Sequence, residues 1–154
     1  MASKIEAEVE VRSDAGKFWE SIRESTTLFP KAFPDQYQSI QLLQGDGKSV
    51  GSVRLINYAP GVSPISSTKE KIESVDEANK TLSYSVIDGD VLNYYKNFKA
   101  NLTVTPKGEN GSTVKWACEF DKANEDVPNP DIMRDFAVKC FNDLDVYLHQ
   151  IACL

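Results

Sequence analysis

A long amphipathic helix near the C-terminus, preceded by a long run of strand pattern, constrains this chain more than any other feature. The pattern predicts the helix from Asn129 to about Ile151. Asn129 is a good N-cap, Pro130 suits the first helical position, and Asp131 sets negative charge at the positive end of the helix. Met133, Phe136, Ala137, Cys140, Leu144, Tyr147, Leu148 and Ile151 recur at helical spacing on one face. Lys139, Asn142, Asp143 and Asp145 fall elsewhere on the wheel. At the usual rise per residue such a helix is roughly 33 Å long. It must close one side of a large antiparallel sheet, and one helix seldom fills that concavity, so the pattern predicts a pocket.

Upstream, Ile5, Ala7, Val9 and Val11 alternate with Glu6, Glu8, Glu10 and Arg12, as in a strand with one face buried. Ser13-Asp14 opens a helix carrying Phe18, Trp19 and Ile22. A second short helix is predicted from Glu24 to Phe33, interrupted by Pro30 and stopped by Pro34. The period then switches to two. Strands are predicted near Tyr37–Gln44, Ser49–Tyr58, Ile65–Val75, Thr81–Asp88, Tyr94–Thr105 and Ser112–Phe120. They are punctuated by Gly45-Asp46-Gly47, Pro60-Gly61, Glu77-Ala78-Asn79, Gly89-Asp90 and the Asn110-Gly111 hairpin. Short turns between successive strands imply an antiparallel meander, and the whole reads as one α+β domain spanning 1–154.

Alternation also names the inward residues. Arg54, Ile56 and Tyr58 share a face, as do Leu82, Tyr84 and Val86. Phe98, Ala100, Leu102 and Val104 oppose Lys99, Asn101 and Thr103, and Val114, Trp116, Cys118 and Phe120 oppose Lys115 and Glu119. In the Ile65–Val75 strand Ile65 and Ile72 share a face only across a bulge, so Lys69 and Glu70 have no assigned side.

The net charge of −6 argues against nucleic acid, whose phosphates require clustered Lys and Arg, and against anionic membrane surfaces. Met1 to Glu6 lacks the apolar core of a signal peptide, and no run reaches the length of a membrane span. Cys118, Cys140 and Cys153 are scattered and odd in number, which suits reduced thiols in a cytosolic protein and no zinc site. No metal or cofactor is expected. His149 is the single histidine, so neither a Ser-His-Asp set nor a metal cluster can be assembled.

Several segments carry two readings. Gly47-Lys48-Ser49 looks like the end of a P-loop, but the opening glycine would fall at Leu42, and the segment joins two strands rather than opening a helix. A structural turn is the better reading. An inward Arg54 either pairs with a core carboxylate, reaches solvent at the end of the sheet, or meets the polar head of a bound molecule. Tyr58 and Tyr84 are core aromatics or cavity hydroxyls. Ala137 and Cys140 either leave room above the sheet or permit close helix–sheet packing; Met133 and Phe136 would line the same space.

The order of these elements, with Leu28-Phe29-Pro30-Lys31-Ala32-Phe33, the run Gly45 to Leu55, and Tyr84-Ser85-Val86-Ile87-Asp88-Gly89, resembles the major latex protein-like proteins. These plant proteins are a branch of the Bet v 1 (pathogenesis-related class 10) superfamily. The resemblance implies a helix-grip fold, in which a curved seven-stranded antiparallel sheet wraps the long C-terminal helix above a V of two short helices. It also implies a large apolar cavity that takes hydrophobic small molecules, and a link to defence and stress responses. The ligand is then expected among the inward residues Arg54, Ile56, Tyr58, Leu82, Tyr84, Val86, Phe98, Ala100, Leu102, Trp116, Cys118, Met133, Phe136, Ala137 and Cys140. The expected function is a cytoplasmic, monomeric binder or carrier of a lipid, steroid, phenolic or hormone, without stable membrane association. The alternative is a cavity enzyme of the cyclase or isomerase type, with Tyr58, Tyr84, Lys96 and Glu70 as candidate acid–base groups, of which the tyrosines and, by strand parity, Lys96 are expected to point in. The ribonuclease activity proposed for the wider superfamily finds only the helix pair Asp145 and Tyr147 here. The loop from Tyr58 to Pro64, with 88–90 and 124–128, would gate the cavity mouth if it follows relatives, and otherwise is an inert turn.

Overall fold

The computed structural model describes residues 3–60, 66–108, 111–127 and 131–152, with backbone alone for Ile132 and for residues 150–152. Seven antiparallel strands and three helices appear in the chain order β1 (Ser3–Val11), α1 (Ala15–Arg23), α2 (Ser25–Ala32), β2 (Tyr37–Gln44), β3 (Val53–Tyr58), β4 (Ser67–Asp76), β5 (Thr81–Gly89), β6 (Tyr95–Lys107), β7 (Gly111–Lys122) and α3 (Asp131–Ala152). The sheet order is β1-β7-β6-β5-β4-β3-β2. Strands β2 to β7 are thus a simple meander, and β1 pairs with the last of them. The α+β helix-grip architecture is the one expected: α3 lies against the concave face, and α1 and α2 close one end. The N-cap at Asn129, the hairpin residue Asn110, Ile65, Cys153 and loop residues 61–65 lie outside the described residues.

The core follows from alternation. Phe98, Val104, Val114, Cys118 and Phe120 are at most 1% exposed, and each sits at an inward position of β6 or β7. From α1 come Phe18 and Trp19, and from α3 Cys140, Leu144 and Leu148. The rings of Phe18 and Phe141 meet edge-on at 6.4 Å, joining α1 to α3. Asp14 caps α1 by accepting from Lys17 N at 3.2 Å. The far end of α1 is tied to the β4–β5 turn through Glu77, which accepts from Trp19 Nε1 at 2.7 Å and pairs with Arg23 Nε at 3.0 Å.

Four departures from the periodicity have local causes. Pro30 lies inside α2 without interrupting it. It is the sixth residue of an eight-residue helix, so its missing N–H forfeits one bond near the end rather than breaking a ladder. Strand β3 begins at Val53 rather than Ser49, because Ser52 N turns back to Ser49 O at 3.0 Å and Gly51 has φ +91°. Lys96 is exposed, not inward. Asn97, at φ +53°, forms a bulge between Lys96 and Lys99 that reverses the parity, burying Tyr95 and turning Lys96 out. Asp145 is buried at 8% exposure despite its place off the apolar stripe. Its carboxylate accepts from Arg12 N (3.1 Å), Ser13 N (3.0 Å) and Ser13 Oγ (2.6 Å), fastening the β1–α1 corner to α3.

Candidate functional site

Between the concave face and α3 lies a cavity of about 140 Å³. Every strand except β1 contributes to its lining, together with all three helices. Of the residues expected to meet a ligand, Arg54, Ile56, Tyr58, Leu82, Tyr84, Val86, Phe98, Leu102, Trp116, Met133, Phe136 and Ala137 line it. Ala100, Cys118 and Cys140 do not. Ala100 and Cys118 face each other across β6 and β7, each at most 3% exposed. Cys140 sits behind Tyr37, whose hydroxyl donates to its sulfur at 3.4 Å. The volume is below the roughly 300–1,000 Å³ of typical small-molecule pockets. One cause is the aromatic wall under α3, where Phe136 meets Tyr37 at 5.5 Å and Tyr58 at 5.3 Å.

One end of the cavity is polar. Arg54 Nη2 donates to Glu70 Oε1 at 3.2 Å, and Nη1 donates to Ser25 Oγ at 2.7 Å and Thr26 Oγ1 at 3.3 Å. Both side chains of the ion pair are nearly buried, at 14% and 11% exposure. The core-carboxylate reading of Arg54 therefore holds. Glu70, which had no assigned side, is turned inward. Glu70 pairs directly with Arg54 on β3, and Thr68, Glu70 and Ile72 alternate on the buried face of β4; the pairing with β5 passes from Lys69–Asp88 to Glu70–Val86, so Ile87 bulges out and Val86 comes opposite Glu70. Lys69 goes to the other face, 3.9 Å from Asp88. Burial raises the Glu70 carboxyl above its usual range, against the pull of Arg54.

The tyrosine hydroxyls extend this polar end. Tyr58 shares a hydrogen bond with Thr68 at 3.3 Å, and Tyr84 accepts from Trp116 Nε1 at 3.2 Å. Desolvation holds both hydroxyls, and that of Tyr37, protonated well above the ordinary phenol range. Sequence reasoning missed Tyr37, Phe29, Ile22, Ile72 and Phe141, all of which line the cavity. Phe29 and Tyr37 flank a turn where no period applies, and Phe141 follows Cys140 on a buried arc wider than the predicted stripe.

Other candidate sites resolve into structure. The glycine-rich turn has its own anion: the Asp46 carboxylate accepts from Lys48 N and Ser49 N, both at 2.8 Å. Those amides hold Asp46 in its charged form and are not free to receive a phosphate. Asp145 is occupied by the β1–α1 corner, and Tyr147 packs on Phe33 at 6.1 Å, so the helix acid–tyrosine pair forms no joint site. Asp90, in one of the loops expected at the cavity mouth, holds the start of β4 by accepting from Ser66 N at 2.8 Å and Ser67 N at 3.2 Å. Gly89 makes this approach possible, since a Cβ there would stand 2.6 Å from Ser67 O at φ +116°. No His, Cys, Asp and Glu cluster among the described residues is arranged to hold a metal.

Burial raises both described thiols, Cys118 and Cys140, to about 12. At about pH 8 neither should react with iodoacetamide in the native protein on a timescale that fully alkylates the unfolded chain. Peptide mapping by mass spectrometry checks this, and rapid native labelling of Cys140 would show that α3 opens.

The family model for the pathogenesis-related protein Bet v 1 family matches residues 1–150. The chain belongs to the Bet v 1 family. Members of the Bet v 1 family are ligand-binding proteins. Within the family, MLP-like protein 423 of Arabidopsis thaliana is 47% identical over 96% of this chain and 95% of that protein. MLP-like protein 43 of the same plant is 35% identical over 96% and 94%. Among solved Bet v 1-like structures, ginseng major latex-like protein 151 from Panax ginseng superposes with a TM-score of 0.86 at 27% identity, covering 95% of this chain and 97% of that one. Norcoclaurine synthase from Thalictrum flavum, in complex with dopamine and hydroxybenzaldehyde, gives a TM-score of 0.75 at 20% identity over 97% and 88%. That second likeness concerns the fold alone.

Proposed function

We propose that this chain is a cytosolic, monomeric binder or carrier of a hydrophobic small molecule of the lipid, steroid, phenolic or hormone class, acting in plant defence and stress responses. The observation that carries the reading is the cavity itself, whose walls are mostly aliphatic and aromatic, with the buried Arg54–Glu70 pair at its polar end. Apolar burial of a ligand is worth roughly 25 cal/mol/Å². Association costs of several kcal/mol leave a net affinity on the order of micromolar for a small apolar guest. A larger ligand requires the Phe136–Tyr37–Tyr58 wall to part. The loop from Tyr58 to Pro64, with 88–90 and 124–128, is the proposed gate.

The test is native mass spectrometry of the purified protein, followed by extraction and identification of what co-purifies. Phe136→Trp should fill the space under α3 and weaken binding at least about tenfold while leaving the fold intact. A protein that arrives bare and takes up no hydrophobic probe would end the carrier reading.

A second reading, a cavity enzyme of the cyclase or isomerase type, has one observation in its favour. Glu70 is an inward carboxyl with a raised proton affinity, and its charge is felt at both Tyr58 and Tyr84. Imine-forming chemistry lacks an amine: Lys96 faces solvent, and no lysine lines the cavity among the described residues. Loss of turnover of a candidate substrate on Glu70→Gln, with binding retained, would favour this reading over the carrier.

A further inference from the structure

The charges of the cavity are already spent on one another. Among the described residues the charged side chains of the lining are Arg23, Arg54 and Glu70. Arg23 is committed outward to Glu77 at 3.0 Å, and Arg54 to Glu70 at 3.2 Å. The polar end therefore offers no free cation to an incoming anion. A carboxylate seeking the usual two-pronged grip on Arg54 would have to displace Glu70 from Nη2 and the Ser25 and Thr26 hydroxyls from Nη1.

What the pair leaves unfilled is complementary. Arg54 Nε is buried and donates to nothing among the described residues. Glu70 accepts from Arg54 through Oε1, which leaves the lone pairs of Oε2 unused by the guanidinium. An unmade donor thus belongs to the same pair as an acceptor that Arg54 does not use, and a hydroxyl is the small group that is both donor and acceptor. Tyr84 OH accepts from Trp116, which leaves its own proton available to a second oxygen. A carboxylate only accepts, and it would sit beside Glu70 in a medium where two like charges are not both sustained.

We infer that the Arg54–Glu70 pair makes this cavity selective for an uncharged, hydroxyl-bearing ligand, a phenol or an alcohol, over a carboxylate on the same skeleton. The inference rests on the ligand-binding reading above and narrows its ligand class. Glu70 is the determinant: it cancels the guanidinium charge that would otherwise recruit an acid, and it supplies the acceptor for the hydroxyl proton. The raised proton affinity of Glu70 agrees with a carboxylate already crowded by burial.

Isothermal titration calorimetry on the full chain with p-propylphenol, p-propylbenzoate and propylbenzene tests this. The phenol is expected to bind at least about tenfold more tightly than the benzoate, and more tightly than propylbenzene. In Glu70→Gln the guanidinium is uncompensated, and the benzoate should gain at least about tenfold, so that the preference collapses. A wild-type protein that binds the benzoate as tightly as the phenol overturns the inference, as does a Glu70→Gln protein that keeps the full wild-type ratio. The wild-type ratio decides the matter even if the variant does not fold. Failure of all three compounds to bind would instead remove the cavity reading beneath it, whereas equal binding of all three removes the selectivity alone.

Discussion

Glu70→Leu is expected to cost about 3–5 kcal/mol of folding stability near neutral pH, the largest effect of any single change at the cavity. The substitution strands the Arg54 guanidinium, which is nearly buried and cannot shed its proton. Ser25 and Thr26 continue to hold it, but neither supplies a charge. The reverse change, Arg54→Met, should be milder at low pH, because Glu70 can neutralise itself by protonation. The sign follows from the raised proton affinity of Glu70 in the folded protein. A group raised above its unfolded value contributes stability below that value, and loses it as pH rises through the folded one. The stability of Arg54→Met should therefore be greater in mildly acidic than in neutral solution, falling as pH rises above the ordinary carboxyl range. The double variant Arg54→Met/Glu70→Leu should recover most of the loss or exceed wild type by about 1–4 kcal/mol, since both desolvation costs vanish together. Urea unfolding of the three variants in mildly acidic and in neutral solution checks all of this. A Glu70→Leu protein within about 1 kcal/mol of wild type would mean that water reaches the pair and that the cavity end is not dry.

Asp145→Ala should be nearly as damaging, at about 3 kcal/mol, or a drop in Tm of roughly 10 °C for a chain of this size. One carboxylate satisfies two backbone N–H groups and a buried hydroxyl at the β1–α1 corner. Its removal leaves Ser13, 5% exposed, with polar groups that have no replacement acceptor nearby. The corner is further held by Ser112 Oγ donating to Ser13 O at 2.7 Å, so the damage should spread to the pairing of β1 with β7. Asp145→Asn keeps one acceptor and should lose about half as much. Differential scanning calorimetry of the two variants reads the ranking. Equal loss for Ala and Asn would show that charge, not the number of accepted bonds, holds the corner.

Both effects lie where the chain's periodicity is least informative. Asp145 stands off the apolar stripe of α3, and on a helical wheel it reads as a solvated acid. It is buried because a distant corner of backbone, more than a hundred residues away in sequence, lacks acceptors of its own. Glu70 stands in a strand whose hydrophobic parity is broken, so alternation assigned it no side. Its unshifted pairing with Arg54 on β3 decides its orientation, and register is a property of two strands together. Lys96 went astray because Asn97, in a left-handed conformation, resets the alternation before Phe98.

What the sequence determined by itself is therefore the part governed by local period and turn chemistry. It settled the meander, the long closing helix, and the inward faces of β3, β5, β7 and of β6 from Phe98 onward, because each strand buries one side and a one-residue slip would expose the whole set. Resemblance over the full length supplied the family. Tertiary structure alone decided which inward residues meet open space and which meet each other. Ala100, Cys118 and Cys140 point inward like their neighbours, yet they pack against protein, while Phe29 from α2 and Tyr37 from the first position of β2 reach the cavity. It alone paired Arg54 with Glu70, and it set the cavity at about 140 Å³ by bringing Phe136 onto two tyrosines. Alternation says on which side of a sheet a side chain stands; the distance to whatever stands opposite depends on curvature, bulges and the seating of α3, which are set by contacts far apart in the chain.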